Sequence, residues 1–337
     1  MTPMAAREAL QQVAGQALEV RALGAADAPA LLQLHEEVFQ SKVDARWYQW
    51  KYRPDLGLGS GAFIDQQLVA HCGGIVRTLW VAGQRTAGLQ IGDVMVQPQW
   101  RGVMTRRGPF YYVSQHFYER QLGADQPFQL GFGFPGARHL KLAVAVKLLR
   151  DGGSVQALQW NATQAPALPA WQWRWQALAP DDTHFDAVVG SAWQKMREHT
   201  HPLTLGERDA AYLRWRYLER PDRQHHFFVL RRPWSRTAAG VAVLDLGQPE
   251  SAHWLDWVGP PALMATACQA CCHTAQQQGK ARLEMWASDA VVRQLAKTPL
   301  SHQVEVVRIG IVNASALPPE VTQDLDWWLV GGDTDFL

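Results

Sequence analysis

A nine-residue segment occurs twice in this 337-residue chain, and the repeat constrains the fold more than any other feature. Asp44-Ala45-Arg46-Trp47-Tyr48-Gln49-Trp50-Lys51-Tyr52 is matched by Asp209-Ala210-Ala211-Tyr212-Leu213-Arg214-Trp215-Arg216-Tyr217. Asp, Ala, an aromatic residue, Trp, a basic residue and Tyr recur in register, and a proline follows each copy, Pro54 and Pro221. Self-similarity is read before secondary structure because it sets the architecture.

The flanks of the two copies correspond as well. Apolar residues spaced along one helical face precede each copy: Leu31, Leu34 and Val38 within 27–39, and Val188, Val189, Ala192, Trp193 and Met196 within 185–196. Strand-like runs follow, at 61–64, 69–80 and 89–96 in the first half and at 226–231, 239–246 and 253–258 in the second. An aspartate holds the same place in the third run of each set, Asp93 and Asp256. Helices are expected next, at 109–122 and 261–278. This order predicts an α+β chain of two similar domains, 1–179 and 180–337, each a mixed, mainly antiparallel sheet flanked by helices. The boundary is placed at Pro180-Asp181-Asp182-Thr183, which combines turn and N-cap residues. A length well above the ~100–200 residues of one domain agrees.

Charge excludes a global bias. The 32 Lys and Arg residues balance 31 Asp and Glu, so a nucleic-acid or membrane partner is not expected from the whole-chain field. No run reaches the ~18 apolar residues of a membrane-spanning helix. Arg7, Glu8 and Glu19 stand where a signal peptide would be apolar, so a cytoplasmic location is expected. Four cysteines, Cys72, Cys268, Cys271 and Cys272, are too few and too clustered for a disulfide framework. The last three, with His273, fall in a helical pattern and are expected to pack in a core, with no metal site. Among sixteen tryptophans, the alternation Trp171, Trp173, Trp175 predicts a strand whose rings share one face.

The segment Asp93-Val94-Met95-Val96-Gln97-Pro98-Gln99-Trp100-Arg101-Gly102 resembles the acetyl-CoA-binding strand and turn of the GCN5-related N-acetyltransferase (GNAT) superfamily. In that pattern a Val-x-Pro-x-aromatic-Arg-Gly strand end runs into a glycine-rich turn that caps a helix, and the turn's N–H groups cradle a pyrophosphate. Here Met104 and Arg106 occupy positions where the family has small residues, while Arg101, Arg106 and Arg107 gather three guanidinium groups suited to phosphate. Gly131-Phe132-Gly133-Phe134-Pro135 and Gly332-Asp333-Thr334-Asp335-Phe336 are similar to segments of tandem members.

The resemblance implies two GNAT-type domains and an acyl-CoA-dependent N-acyltransferase, with acetyl transfer to the amine of a small molecule or sugar. It implies that acetyl-CoA or another acyl-CoA binds along Val94, Val96, Arg101, Gly102, Val103, Met104, Thr105, Arg106 and Arg107. The second half reads Gly259-Pro260-Pro261 in place of an Arg-Gly turn, and is expected to have lost the cofactor and to shape the acceptor cleft. Asp93 is the candidate catalytic carboxylate, although its recurrence as Asp256 favours a structural tie. Trp47, Trp50, Phe134 and His139 are candidate substrate contacts. Two other readings stand beside this one: a transferase of the same fold served by a carrier protein or an aminoacyl-RNA, and a catalytically silent binding scaffold.

Overall fold

The structure, a computed structural model, describes residues 9–13, 15–52, 59–101, 108–312 and 325–337. They divide into two compact units. The first takes in the described residues within Met1–Thr78, Thr86–Gly152 and Ile309–Gln323, and the second those within Leu79–Arg85, Gly153–Arg308 and Asp324–Leu337. The boundary expected between 179 and 180 falls inside the second unit, because a strand that begins before it pairs with one formed far beyond it.

In the first unit, β1 (Ala9–Val13) and β2 (Gln16–Ala22) form an antiparallel hairpin. Helices α1 (Ala28–Phe39) and α2 (Ala45–Lys51) follow. Next come β3 (Ser60–Ile64), β4 (Gln67–Val81, as far as Thr78) and β5 (Gln84–Val96, from Thr86 on), with β3 antiparallel to both β2 and β4. Helix α3 (Pro109–Gln121) then leads to β6 (Leu130–Gly133), which is parallel to β5, and α4 (Ala137–Ala145) closes the run. On the other side of β6, Phe132 and Gly133 pair with Ile311 and Gly310 from late in the chain. The core places Leu18, Val20, Val69 and Leu89 of the sheet against Val113 and Phe117 of α3. Leu31 and Leu34 of α1 are buried in a second cluster with Tyr48, Tyr52 and Met95.

The second unit contains β7 (Leu149–Asn161, from Gly153 on), β8 (Arg174–Leu178), α5 (Phe185–His199) and β9 (Thr204–Gly206). A short helix α6 (Ala210–Leu213) tightens into a π-helical turn, Arg214–Leu218. The remainder is β10 (His226–Arg231), β11 (Gly240–Asp245), β12 (Ser251–Val258), α7 (Met264–Gln277), β13 (Arg282–Ser288), α8 (Asp289–Leu295), β14 (His302–Val312, as far as Arg308) and β15 (Trp327–Trp328). The sheet runs β7-β13-β12-β11-β10-β8, with β12 and β13 parallel and the other pairs antiparallel. Trp160, Trp254 and Trp257 are nearly inaccessible within its core. Helix α7 buries Cys268, Cys271 and Cys272 as free thiols, and burial lifts Cys268 and Cys271 far above the usual thiol range.

The duplication is visible element by element. Each unit has a helix, a short second helix, three strands, a helix, a strand parallel to the third strand, and a closing helix. Both short helices are capped by the repeated aspartate: Asp44 accepts from Trp47 N at 2.9 Å, and Asp209 from Tyr212 N at 2.8 Å. The tryptophan run departs from expectation. Only Trp175 lies in a strand, stacked on Phe228 at 5.4 Å, while Trp171 stands in a turn and Trp173 is buried ahead of β8. Main-chain bonds from Gln172 and Trp173 to Pro169 O fold this stretch into a turn before pairing begins.

Candidate functional site

Strands β5 and β6 run parallel from Gly88 opposite Leu130 to Ile91 opposite Gly133. There β6 stops, while β5 continues to Val96. Each strand is followed in the chain by a helix: α3 after the N-cap Gly108, and α4 after the N-cap Gly136. Neither start carries a side-chain cap. Helix N-termini present unsatisfied N–H groups and positive potential, and the carboxyl ends of parallel strands are where open sheets receive ligands. The carboxyl edge of the β5–β6 pair is therefore a candidate site for an anion.

Side chains assemble around that edge. Arg101 is exposed and folds back on the strand it follows, its Nε donating to Val96 O at 2.8 Å. Val94 and Val96 are half-buried and pack against the first unit's core. His139, in the first turn of α4, has its pKa lowered by burial first and then by the positive charges of Arg101 and Arg138. Arg101 is thus held at the end of β5, and its charge is felt at His139. Gly102, Val103, Met104, Thr105, Arg106 and Arg107 lie outside the described residues.

The other expected residues are defined by their own neighbours. Phe134 is only 6% exposed and sits edge-on to Phe132 at 5.9 Å, packed just past the end of β6. Trp47 and Trp50 pair on α2 with ring centroids 6.1 Å apart. Trp47 is flanked by His35 at 5.5 Å and by Lys51 Nζ at 4.7 Å from its ring.

Asp93 is the most constrained of the candidates. Its φ of 46° puts a non-glycine residue in the left-handed region within a strand, a local irregularity that needs support from its surroundings. That support is dense. Lys51 Nζ donates to Oδ1 at 2.7 Å, Tyr52 OH donates to Oδ2, and His71 Nδ1–H donates to the Asp93 main-chain oxygen at 2.7 Å. Burial pushes the Asp93 carboxyl up, but the charge and hydrogen bond of Lys51, helped by Tyr52 and His71, hold it below the ordinary range. Both carboxylate oxygens are engaged, so Asp93 ties β5 to Lys51 and Tyr52.

The second unit repeats the tie with different cations. Tyr217 OH donates to Asp256 Oδ2 at 2.9 Å, and Arg208 Nε donates to Oδ1 at 2.8 Å. Arg216, the counterpart of Lys51, turns instead to the carbonyls of Gly332, Thr334 and Leu337. Sequence reasoning missed His35, His71 and Arg208 as members of these clusters. The joint recurrence of Tyr52 with Asp93 and of Tyr217 with Asp256 was the signal for the tie itself. A cavity of about 500 Å³ in the second unit, bounded by Trp80, Trp193, Arg197, Glu198 and His201, contains none of the expected site residues.

Residues 19–137 match the acetyltransferase (GNAT) domain. Among solved structures, a conserved protein of unknown function from Enterococcus faecalis, described as a probable N-acyltransferase, superposes with a TM-score of 0.66 at 14% identity, covering 87% of this chain and 71% of that one. A GCN5-related N-acetyltransferase from Anabaena variabilis gives 0.64 at 13% identity, covering 87% and 72%. Yeast (Saccharomyces cerevisiae) N-myristoyltransferase with bound myristoyl-CoA gives 0.60 at 10% identity, covering 98% and 93%. No curated protein matches the chain. At these identities the structural likeness speaks for the fold.

Proposed function

Residues 19–137 belong to the acetyltransferase (GNAT) domain family, and from that premise we propose that the chain is an N-acyltransferase that takes its acyl group from a coenzyme A thioester. The observation that supports this reading is the parallel pairing of β5 and β6, each followed in the chain by a helix whose start has no side-chain cap, with Arg101 folded back on the end of β5. An anionic pyrophosphate is the chemistry such an edge recognises. The half-buried side chains of Val94 and Val96 offer an apolar wall beside it for the pantetheine arm and the thioester.

Acyl transfer forms a bond from the acceptor nitrogen to the thioester carbonyl carbon, and the carbon–sulfur bond breaks as the thiolate leaves. The nitrogen must shed a proton. Burial and the neighbouring arginines disfavour the protonated form of His139, and we assign it the role of accepting that proton. Asp93 keeps the positioning role given to it above. We take the acceptor to be the amine of a small molecule or sugar.

Calorimetric titration with acetyl-CoA and with myristoyl-CoA tests the reading and selects the acyl length. Arg101→Ala is expected to weaken binding by about 1–3 kcal/mol, the scale of a charge-assisted contact. Affinity unchanged by the substitution removes the site, and absence of binding to either thioester turns the reading toward a carrier-served transferase or a silent scaffold.

A further inference from the structure

Two tryptophans of the second unit stand almost wholly in solvent: Trp171 is 79% exposed and Trp234 is 93% exposed. Each occupies the third position of a tight turn. A bond from Gln172 N to Pro169 O closes one turn, and a bond from Ser235 N to Arg232 O closes the other. Arg232 links them, since its Nη1 donates to Gln172 O at 3.4 Å and its guanidinium lies 3.8 Å from the Trp173 ring. The two turns are therefore neighbours at one end of the β8–β10 pair.

Cations crowd the same end. Arg174 and Arg231 stand directly opposite each other in the β8–β10 register, a like-charge pairing that a sheet disfavours. Arg236 follows Trp234 by two residues, and Lys195 of α5 reaches the same loop, donating to Ala238 O. The Nε of Arg231 is buried without a hydrogen-bond partner among the described residues. Arg174, Arg231, Arg232, Arg236 and Lys195 have no acidic partner among the described residues either.

We propose that this end of the second unit docks on an anionic lipid bilayer, with the two indole rings seated among the headgroups and the arginines meeting lipid phosphates. An indole is amphipathic and favours the boundary between apolar and aqueous phases. Stable attachment takes two signals, and exposed aromatic rings together with clustered cations supply both. The balanced charge of the whole chain does not oppose this, because such attraction acts within a Debye length of about 8–10 Å. A single nucleic-acid strand is the less suitable occupant. Bases stack on aromatic platforms along a charged groove, whereas these rings project from convex turns with most of their surface free.

The full chain is sedimented with vesicles of phosphatidylcholine alone and of an equimolar mixture with phosphatidylglycerol. Pelleting with the mixed vesicles, release by high salt, and no pelleting with phosphatidylcholine alone are expected. The Trp171→Ala/Trp234→Ala double variant should lose most of the binding. Arg174→Gln with Arg236→Gln should lower affinity about fivefold per arginine, equivalent to ~1 kcal/mol each. The two tryptophans are exposed, so thermal melting of their variant should match the parent, and coenzyme A titration separates a failure here from a failure of the proposed activity. No pelleting with mixed vesicles, undiminished pelleting of both variants, or tryptophan-dependent retention on single-stranded homopolymer RNA in place of vesicles overturns the proposal.

Discussion

Replacing Lys51 with methionine would strand the Asp93 carboxylate in a position where 3% of the lysine side chain and 5% of the aspartate side chain reach solvent. Removing one partner of a buried pair typically costs about 3–5 kcal/mol, so Lys51→Met should lower the melting temperature markedly. The parent protein should show a matching pH dependence. Because the Asp93 carboxyl is held below its usual value of 3.8, the stability it contributes is complete above that value and drains away as the pH falls through the folded-state pKa. Denaturant midpoints that stay flat into the acid range would show that this tie contributes little. Asp256 behaves oppositely although it holds the equivalent place. Burial raises its pKa, Arg208 pulls it down, and Asp333, which shares the same guanidinium, pushes it up again. At this scale the repeat made the Tyr–Asp pairs legible. It hid the exchange of cations, because Arg208 lies outside the nonamer and Arg216 inside it serves the segment 332–337. That segment passes so close to the tie that a side chain at Gly332 would meet Tyr217 OH at 1.8 Å.

Among the elements, regular periodicity was read well and aromatic spacing was not. β10 occupies 226–231 as expected, and α5 starts at Phe185 as expected. Trp171, Trp173 and Trp175 mimic the period of a strand, yet the prolines beside them favour turns, and local turn bonds take the main-chain groups that a longer strand would need. The nonamers gave no reliable period of their own because each is short. Their helical state rests on the aspartate caps, and α6, with four residues before its π-helical turn, depends on its cap more than α2 does. Asp209→Ala is accordingly expected to cost about 1 kcal/mol, seen as a lowered thermal midpoint. Equal stability of the variant would mean that the packing of Trp215 and Tyr217 alone holds the turn.

For the molecule as a whole, a duplicated α+β architecture could be read from sequence, but the division of the chain could not. Repeats show which segments correspond. They do not show which distant strand completes a sheet, and the first unit takes Gly310 and Ile311 from beyond the whole second set of elements. A fragment of residues 1–179 therefore lacks the partner of Phe132 and Gly133, and leaves one edge of β6 open. Open edges recruit other chains. The fragment is expected to elute as aggregate in size-exclusion chromatography, where the full chain gives a discrete species; a monodisperse fragment would show that the late strand is dispensable. The same long-range pairing imposes a timetable on the ribosome. At about 5–20 residues per second, translation from residue 152 to residue 312 takes roughly 8–32 s. Throughout that interval the nascent first unit has everything it needs except its last strand, so its most vulnerable moment is a wait set by the length of its neighbour.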